Sequence, residues 1–143
     1  MIWTLRVECK WGRYLADECI RVIELSSDAS LLELHDAIQG AVGFDRDHLF
    51  EFFAGRHYRH RKVTFVDDLE CDDTFDAHAQ ISLEQVYPLP KNLRLFYHFD
   101  FGDDWYFEIR KSRKQPTEPV VGVEYPRVIE RVGPNPEQYP SWE

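Results

Sequence analysis

A chain of 143 residues that is 43% hydrophobic can bury the core of one domain but hardly of two, and its formal charge of -9 narrows the choice of partners. That charge weighs against general binding to nucleic acid or an anionic membrane, both of which need a positive field, and leaves a basic partner as the compatible one. Three cysteines, an odd number, with no apolar stretch of signal-peptide or membrane-spanning character, lead to the expectation of a reduced, cytoplasmic protein.

In chain order, residues 3–9 alternate apolar and polar side chains, and 18–25 do so again after a break at Trp11, Gly12 and Arg13, predicting two strands and a connection. Cys9 and Cys19 fall opposite each other if that hairpin is symmetric about Tyr14. The spacing is compatible with a cross-strand disulfide and reads more simply as two packed thiols. Ser30 and Glu33 have the capping-box pattern, Leu31, Leu34, Ile38 and Val42 recur at helical spacing, and Gly43 sits where a C-cap belongs. This predicts the one long helix, with His35 at the edge of its apolar stripe. A strand pattern resumes over 48–53. Strand, strand, helix, strand is the order of β-grasp folds, in which a helix crosses one face of a mixed sheet.

The middle of the chain segregates charge. Residues 56–62 hold four Arg or Lys, 63–66 read as a short strand, and 67–76 hold six carboxylates and no basic residue. Ser82 to Gln85 predicts a helical turn before Pro88, and 93–110 predicts an aromatic hairpin. All eight prolines follow residue 87, marking a tail from Lys111 onward with a final strand over 125–132. The expected organisation is one domain over 1–143: a strand-strand-helix-strand half to 55, a charged connection over 56–80, the hairpin region over 81–110 and the proline-rich tail.

The hairpin is the most informative stretch, because its apex sets Asp100, Phe101, Gly102, Asp103 and Asp104 between two aromatic strands. Hard carboxylate ligands around a glycine can fold about a cation, while Asp and Gly are equally what a tight turn prefers for local reasons. His48, His35 and His98 are candidate acid-base or metal partners for Asp100, although a lone histidine beside apolar residues is more often structural. The Asp-Phe-Gly string lacks the Gly-rich and catalytic loops of a kinase. The basic 56–62 segment has phosphate-contacting arginines and a stackable Tyr58, set against the overall negative charge. No hydrolase nucleophile pattern, phosphate-binding loop or zinc motif is present in the sequence, so an enzyme reading lacks a nucleophile and no cofactor is implied.

Leu34-His35, Ile38-Gln39, Gly43-Phe44, Asp47-His48-Leu49 with Phe52, then Tyr97, Asp100 to Asp103 with Trp105, and Tyr125-Pro126 together resemble the plasmid pRiA4b ORF-3-like family. The resemblance implies a small α+β protein related to β-grasp folds, often encoded near mobile elements, with no established activity. The chain departs from that pattern at Phe107, where family members often carry His, and in a shortened ending at Gly133 to Glu137.

The fold expected from these observations is α+β: a β-grasp-like mixed sheet with one main crossing helix, extended by the aromatic hairpin and a final strand. The leading functional expectation is a protein-interaction or ligand-binding module whose surface is built from Tyr97, Asp100, Asp103, Asp104, Trp105 and Tyr125, with His48 beside it. Aromatic anchoring and carboxylate recognition of a basic protein or small molecule would supply its affinity. The rival expectations are a metal-dependent enzyme acting on a phosphate-containing substrate through Asp100, Asp103 and His48, and a nucleic-acid accessory protein using residues 56–62.

Overall fold

A computed structural model describes residues 1–66 and 74–140. Among the described residues the fold is α+β, with seven strands in a single sheet and three helices. Chain order is β1 (Ile2–Trp11), β2 (Ile20–Ser26), α1 (Leu31–Val42), β3 (Phe50–Gly55), β4 (Val63–Thr64), α2 (Thr74–Ala79), α3 (Leu83–Val86), β5 (Arg94–Phe99), β6 (Trp105–Lys111) and β7 (Arg127–Val132). The sheet order is β4-β3-β5-β6-β1-β2-β7. Every ladder in it is antiparallel, which corrects the expected mixed sheet. The reason lies in the partner of β1, which takes the returning arm of the aromatic hairpin, β6, instead of a parallel strand after the helix. Acidic residues 67–73 lie outside the described residues.

Local signals in the sequence account for the elements. Ser30 accepts a hydrogen bond from the Glu33 amide, and Gly43 closes α1 in the left-handed region at φ 74° with its amide on the Gln39 carbonyl. Leu31, Leu34, Ile38 and Val42 are buried against the sheet as their spacing predicts. Ser82 and Gln85 form the capping box of α3. Cys9 and Cys19 are both buried free thiols whose backbones meet through a 2.9 Å amide-to-carbonyl bond, the packing role favoured by their spacing.

The aromatic hairpin is buried on both faces at β5. Leu95, Tyr97 and Phe99 face the helices, yet Phe96 and His98 on the opposite face are buried too. The cover comes from the basic 56–62 segment, which folds back over the sheet instead of standing in solvent. Arg61 lies 4.6 Å over the Phe53 ring and bonds Glu51 at 2.7 and 2.9 Å, and Tyr58 packs 5.1 Å from Tyr106. Phe53 in turn stacks on Phe96. Burial alone would raise the Glu51 carboxyl, but hydrogen bonds and charge from His98 and Arg61 more than offset it and hold it below its ordinary value.

Candidate functional site

The β5–β6 turn is built by its own aspartates. Asp100 sits at φ 60° and Asp104 at φ 52°, a region that few residues other than glycine occupy. Asp100 Oδ1 accepts from the Gly102 and Asp103 amides at 3.1 and 3.2 Å, and the Asp104 amide donates to the Asp100 carbonyl at 2.6 Å. These bonds fold the turn tightly around the Asp100 carboxylate and push Phe101 outward, where it is 38% exposed. The Asp104 carboxylate reaches back to His98 Nε2 at 2.8 Å, while His98 Nδ1 meets Glu51 at 3.0 Å. The His98 ring lies between Tyr106, stacked at 4.2 Å, and Phe101 at 4.7 Å, so the turn is clamped to the sheet through one histidine.

Beside the turn, the loop between α1 and β3 brings in His48. Its Nε2 lies 2.6 Å from the Tyr139 hydroxyl, 3.3 Å from Asp100 Oδ2 and 3.7 Å from Asp47 Oδ1. The Tyr139 hydroxyl donates to Asp47 Oδ2 at 2.7 Å, and Gln138 Nε2 donates to Asp47 Oδ1 at 3.0 Å. Desolvation of Asp47 is outweighed by these two bonds, which hold its carboxyl below the ordinary range. Tyr139 moves the other way, raised by desolvation and by the carboxylates around it. Leu49 joins the patch because its carbonyl accepts the Asp100 amide at 3.0 Å, and it is 52% exposed, as is Tyr139. This end of the sheet therefore groups Leu49, Phe101 and Tyr139 with Asp47, Asp100, Asp103 and Asp104.

Only some of the residues expected at the site share this surface. His48, Asp103 and Asp104 do, with Asp103 also facing Arg13 at 3.4 Å, whereas Asp100 is buried inside the turn, which corrects its expected role as a contact carboxylate. Tyr97 and Trp105 are fully buried, which corrects their expected role as contact aromatics. Alternation along β5 and β6 points both rings toward the helices. The Tyr97 hydroxyl accepts from Gln39 Nε2 at 3.0 Å and meets His35 Nδ1 at 2.5 Å, joining the sheet to α1. His35, expected at the edge of the helical stripe, is buried in this network. Trp105 packs 4.9 Å from Phe44, and its Nε1 has no hydrogen-bond partner among the described residues.

Tyr125 is remote. It precedes Arg127, which pairs with Glu24 near the end of β2, whereas the β5–β6 turn lies beyond the start of that strand. Its hydroxyl accepts the Val120 amide at 3.3 Å, and Arg127 lies 5.6 Å from its ring. The residues that sequence reasoning missed are Leu49, Phe101, Tyr139 and Asp47. A large apolar residue at the tip of an Asp-Gly turn was a readable signal for Phe101, whereas nothing local marks Tyr139.

The three proposed metal ligands do not combine. Asp100 Oδ1 is occupied by backbone amides and Asp103 faces Arg13, and among the described residues no three His, Cys, Asp or Glu side chains converge to hold a metal. Nor is any helix among the described residues long and apolar enough to cross a membrane.

Gly12 tests the placement of Trp105. A Cβ at this position would stand 2.1 Å from Trp105 Cε3, against a ring with no room to retreat. Gly12→Ala is expected to lower stability by about 1–3 kcal/mol, the usual cost of overpacking, read as a shift in the urea midpoint. An unchanged midpoint would mean that the ring is free to move.

Comparison with known proteins adds the family. The sequence profile of the plasmid pRiA4b ORF-3-like proteins matches residues 3–138. The chain belongs to this family. It is 35% identical over 106 residues to the uncharacterized protein y4hQ of Sinorhizobium fredii (strain NBRC 101917 / NGR234), a match that spans 72% of this chain and 49% of that protein. The chain thus spans about half the length of this curated relative. The fold is similar to the crystal structure of a protein of unknown function, MM3350, from Methanosarcina mazei Go1, with a TM-score of 0.66 and 23% identity over 91% of this chain and 68% of the other. His35, Gln39 and Tyr97, all within the matched residues, form the buried network described above.

Proposed function

We propose that this chain is a protein-interaction or ligand-binding module that presents the acidic and apolar end of its sheet to a basic partner. The observation that carries this reading is the joint exposure of Leu49, Phe101 and Tyr139 around the carboxylates of Asp47, Asp103 and Asp104, on a turn with two aspartates at positive φ. Apolar side chains held outward on a braced turn supply contact area at small ordering cost, and the flanking carboxylates orient a cationic group. Backbone strain of this kind persists where the surrounding structure fixes it, as the Asp100 and His98 bonds do here.

The test uses an array of arginine- and lysine-rich peptides, each with and without a tryptophan. Wild type is expected to retain the basic, aromatic-containing peptides in a salt-dependent manner. Phe101→Ser is expected to weaken that retention by about tenfold or more, the effect of losing one central apolar anchor, with the chain still folding cooperatively and the unfolding free energy lowered by no more than about 1 kcal/mol for the lost His98 contact. Equal retention by the variant and the wild type would remove Phe101 from the binding surface and with it this reading.

A further inference from the structure

A second site lies away from the acidic end. We propose that the cleft between the β3–β4 turn and the loop entering β5 binds a phosphate-bearing small molecule. The cleft holds about 410 Å³ and is lined by Arg56, His60, Lys62, Lys91, Asn92 and an apolar wall of Pro90 and Leu93, with no carboxylate among the described residues of the lining. In a chain of net charge -9, three fixed cations lining one cleft with no described carboxylate among them is a pronounced local reversal of sign. Other arginines of the same region are neutralised: Arg61 by Glu51, and Arg94 and Arg110 by Glu108. Arg56, Lys62 and Lys91 form no ion pair with any described carboxylate.

The cleft is held from both sides by backbone bonds. The Lys62 amide donates to the Ala54 carbonyl at 2.9 Å, and the turn lies so close on β3 that a Cβ on Gly55 would stand 1.6 Å from the His60 carbonyl oxygen. Across the cleft, the Leu93 amide donates to the Pro90 carbonyl at 3.1 Å, with Asn92 at φ 68°, which fixes the turn carrying Lys91. The Arg56 amide donates to His60 Nδ1 at 3.0 Å, so the neutral imidazole carries its proton on Nε2. Desolvation, followed by the charges of Arg56, His57 and Lys62, holds His60 below its ordinary value and favours that neutral form. A guanidinium, two ammonium groups and an imidazole line the one cleft, a set of donors that a phosphate monoester satisfies, and Pro90 and Leu93 offer its organic part an apolar contact.

The experiment titrates the protein with phenyl phosphate at fixed ionic strength and follows the melting temperature. Wild type, Arg56→Gln/Lys91→Gln and Lys114→Gln are compared, the last altering a basic residue outside the cleft. The expected result is a saturable rise for wild type, affinity at least about tenfold weaker in the double variant, and no change in Lys114→Gln. Inorganic phosphate is expected to bind more weakly than phenyl phosphate, because it has no group for the apolar wall. The proposal is overturned by the absence of a saturable rise in wild type, by equal weakening in Lys114→Gln, by equal affinity for the two phosphates, or by an oligonucleotide that displaces phenyl phosphate at far lower concentration. Urea midpoints of both variants, expected to match wild type because all the altered side chains are exposed, separate loss of binding from loss of fold.

Discussion

Tyr97→Phe is expected to lower the stability of the domain by about 2–5 kcal/mol, because the hydroxyl serves two buried partners at once. Gln39 Nε2 donates to it at 3.0 Å and His35 Nδ1 lies 2.5 Å away, with all three side chains buried between α1 and the sheet. Removing the oxygen leaves a buried donor and a buried acceptor unsatisfied, each costing about 1–3 kcal/mol, with only the small void of one hydroxyl added. The measurement is the urea unfolding free energy of the variant. A loss below about 0.5 kcal/mol would show that water replaces the hydroxyl and that the network is open to solvent. This substitution distinguishes a structural tyrosine from a contact tyrosine, since a residue used only for partner capture would leave the unfolding curve in place.

The same network makes the fold sensitive to acid. Burial first, then the charges of Arg46 and His78, lowers the His35 pKa from 6.5 to about 3. The unfolded chain therefore takes up a proton near pH 6.5 that the folded chain refuses until about pH 3. Stability from this group is present above the unfolded value and is lost as pH falls between the two, at about 1.4 kcal/mol per pH unit. Glu51 and Glu108 act in the same direction at lower pH. Each carboxyl is held below its ordinary value by arginine, lysine or histidine partners despite burial, so each loses its contribution as pH falls through the carboxylate range. Between about pH 6.5 and pH 5 the His35 contribution amounts to about 2 kcal/mol. Urea titrations at those two values check this, and His35→Gln is expected to flatten the difference by about one proton. Equal stability at the two pH values would mean that the His35 ring is reached by solvent.

Much of the fold was legible because it rests on short-range patterns. The capped helix α1, the alternation of β1, β2 and β5, the small α3 turn and the final strand β7 all stand where periodicity, caps and prolines placed them. Sheet topology was not legible in the same way. Strand order alone does not say whether β1 takes a parallel partner, and the pairing of β1 with β6 joins residues about a hundred positions apart. The candidate site divides along the same line. Asp100, Asp103 and Asp104 could be read from turn chemistry, and His48 from its neighbours. Tyr97 and Trp105 were misplaced because an aromatic next to a turn looks the same in sequence whether its strand faces helices or solvent. Tyr139 comes from the far end of the chain through its contact with Asp47, a tertiary event that carries no local signal. Residues 56–62 read in sequence only as a basic run with a stackable Tyr58, yet Arg61 and Tyr58 cover the sheet while Arg56 and Lys62 line the cleft.

The proposed partner surface is the exposed group around Phe101, with Tyr97 and Trp105 buried in the core beneath it. The most direct test is a titration of isotope-labelled protein with an arginine-rich, tryptophan-containing peptide, following backbone amide resonances. The shifts are expected to concentrate at Leu49, Phe101, Asp103 and Tyr139 and to fade at high salt. Shifts confined to the strand after Tyr125, or to the 56–62 segment, with the Phe101 turn unmoved would contradict it.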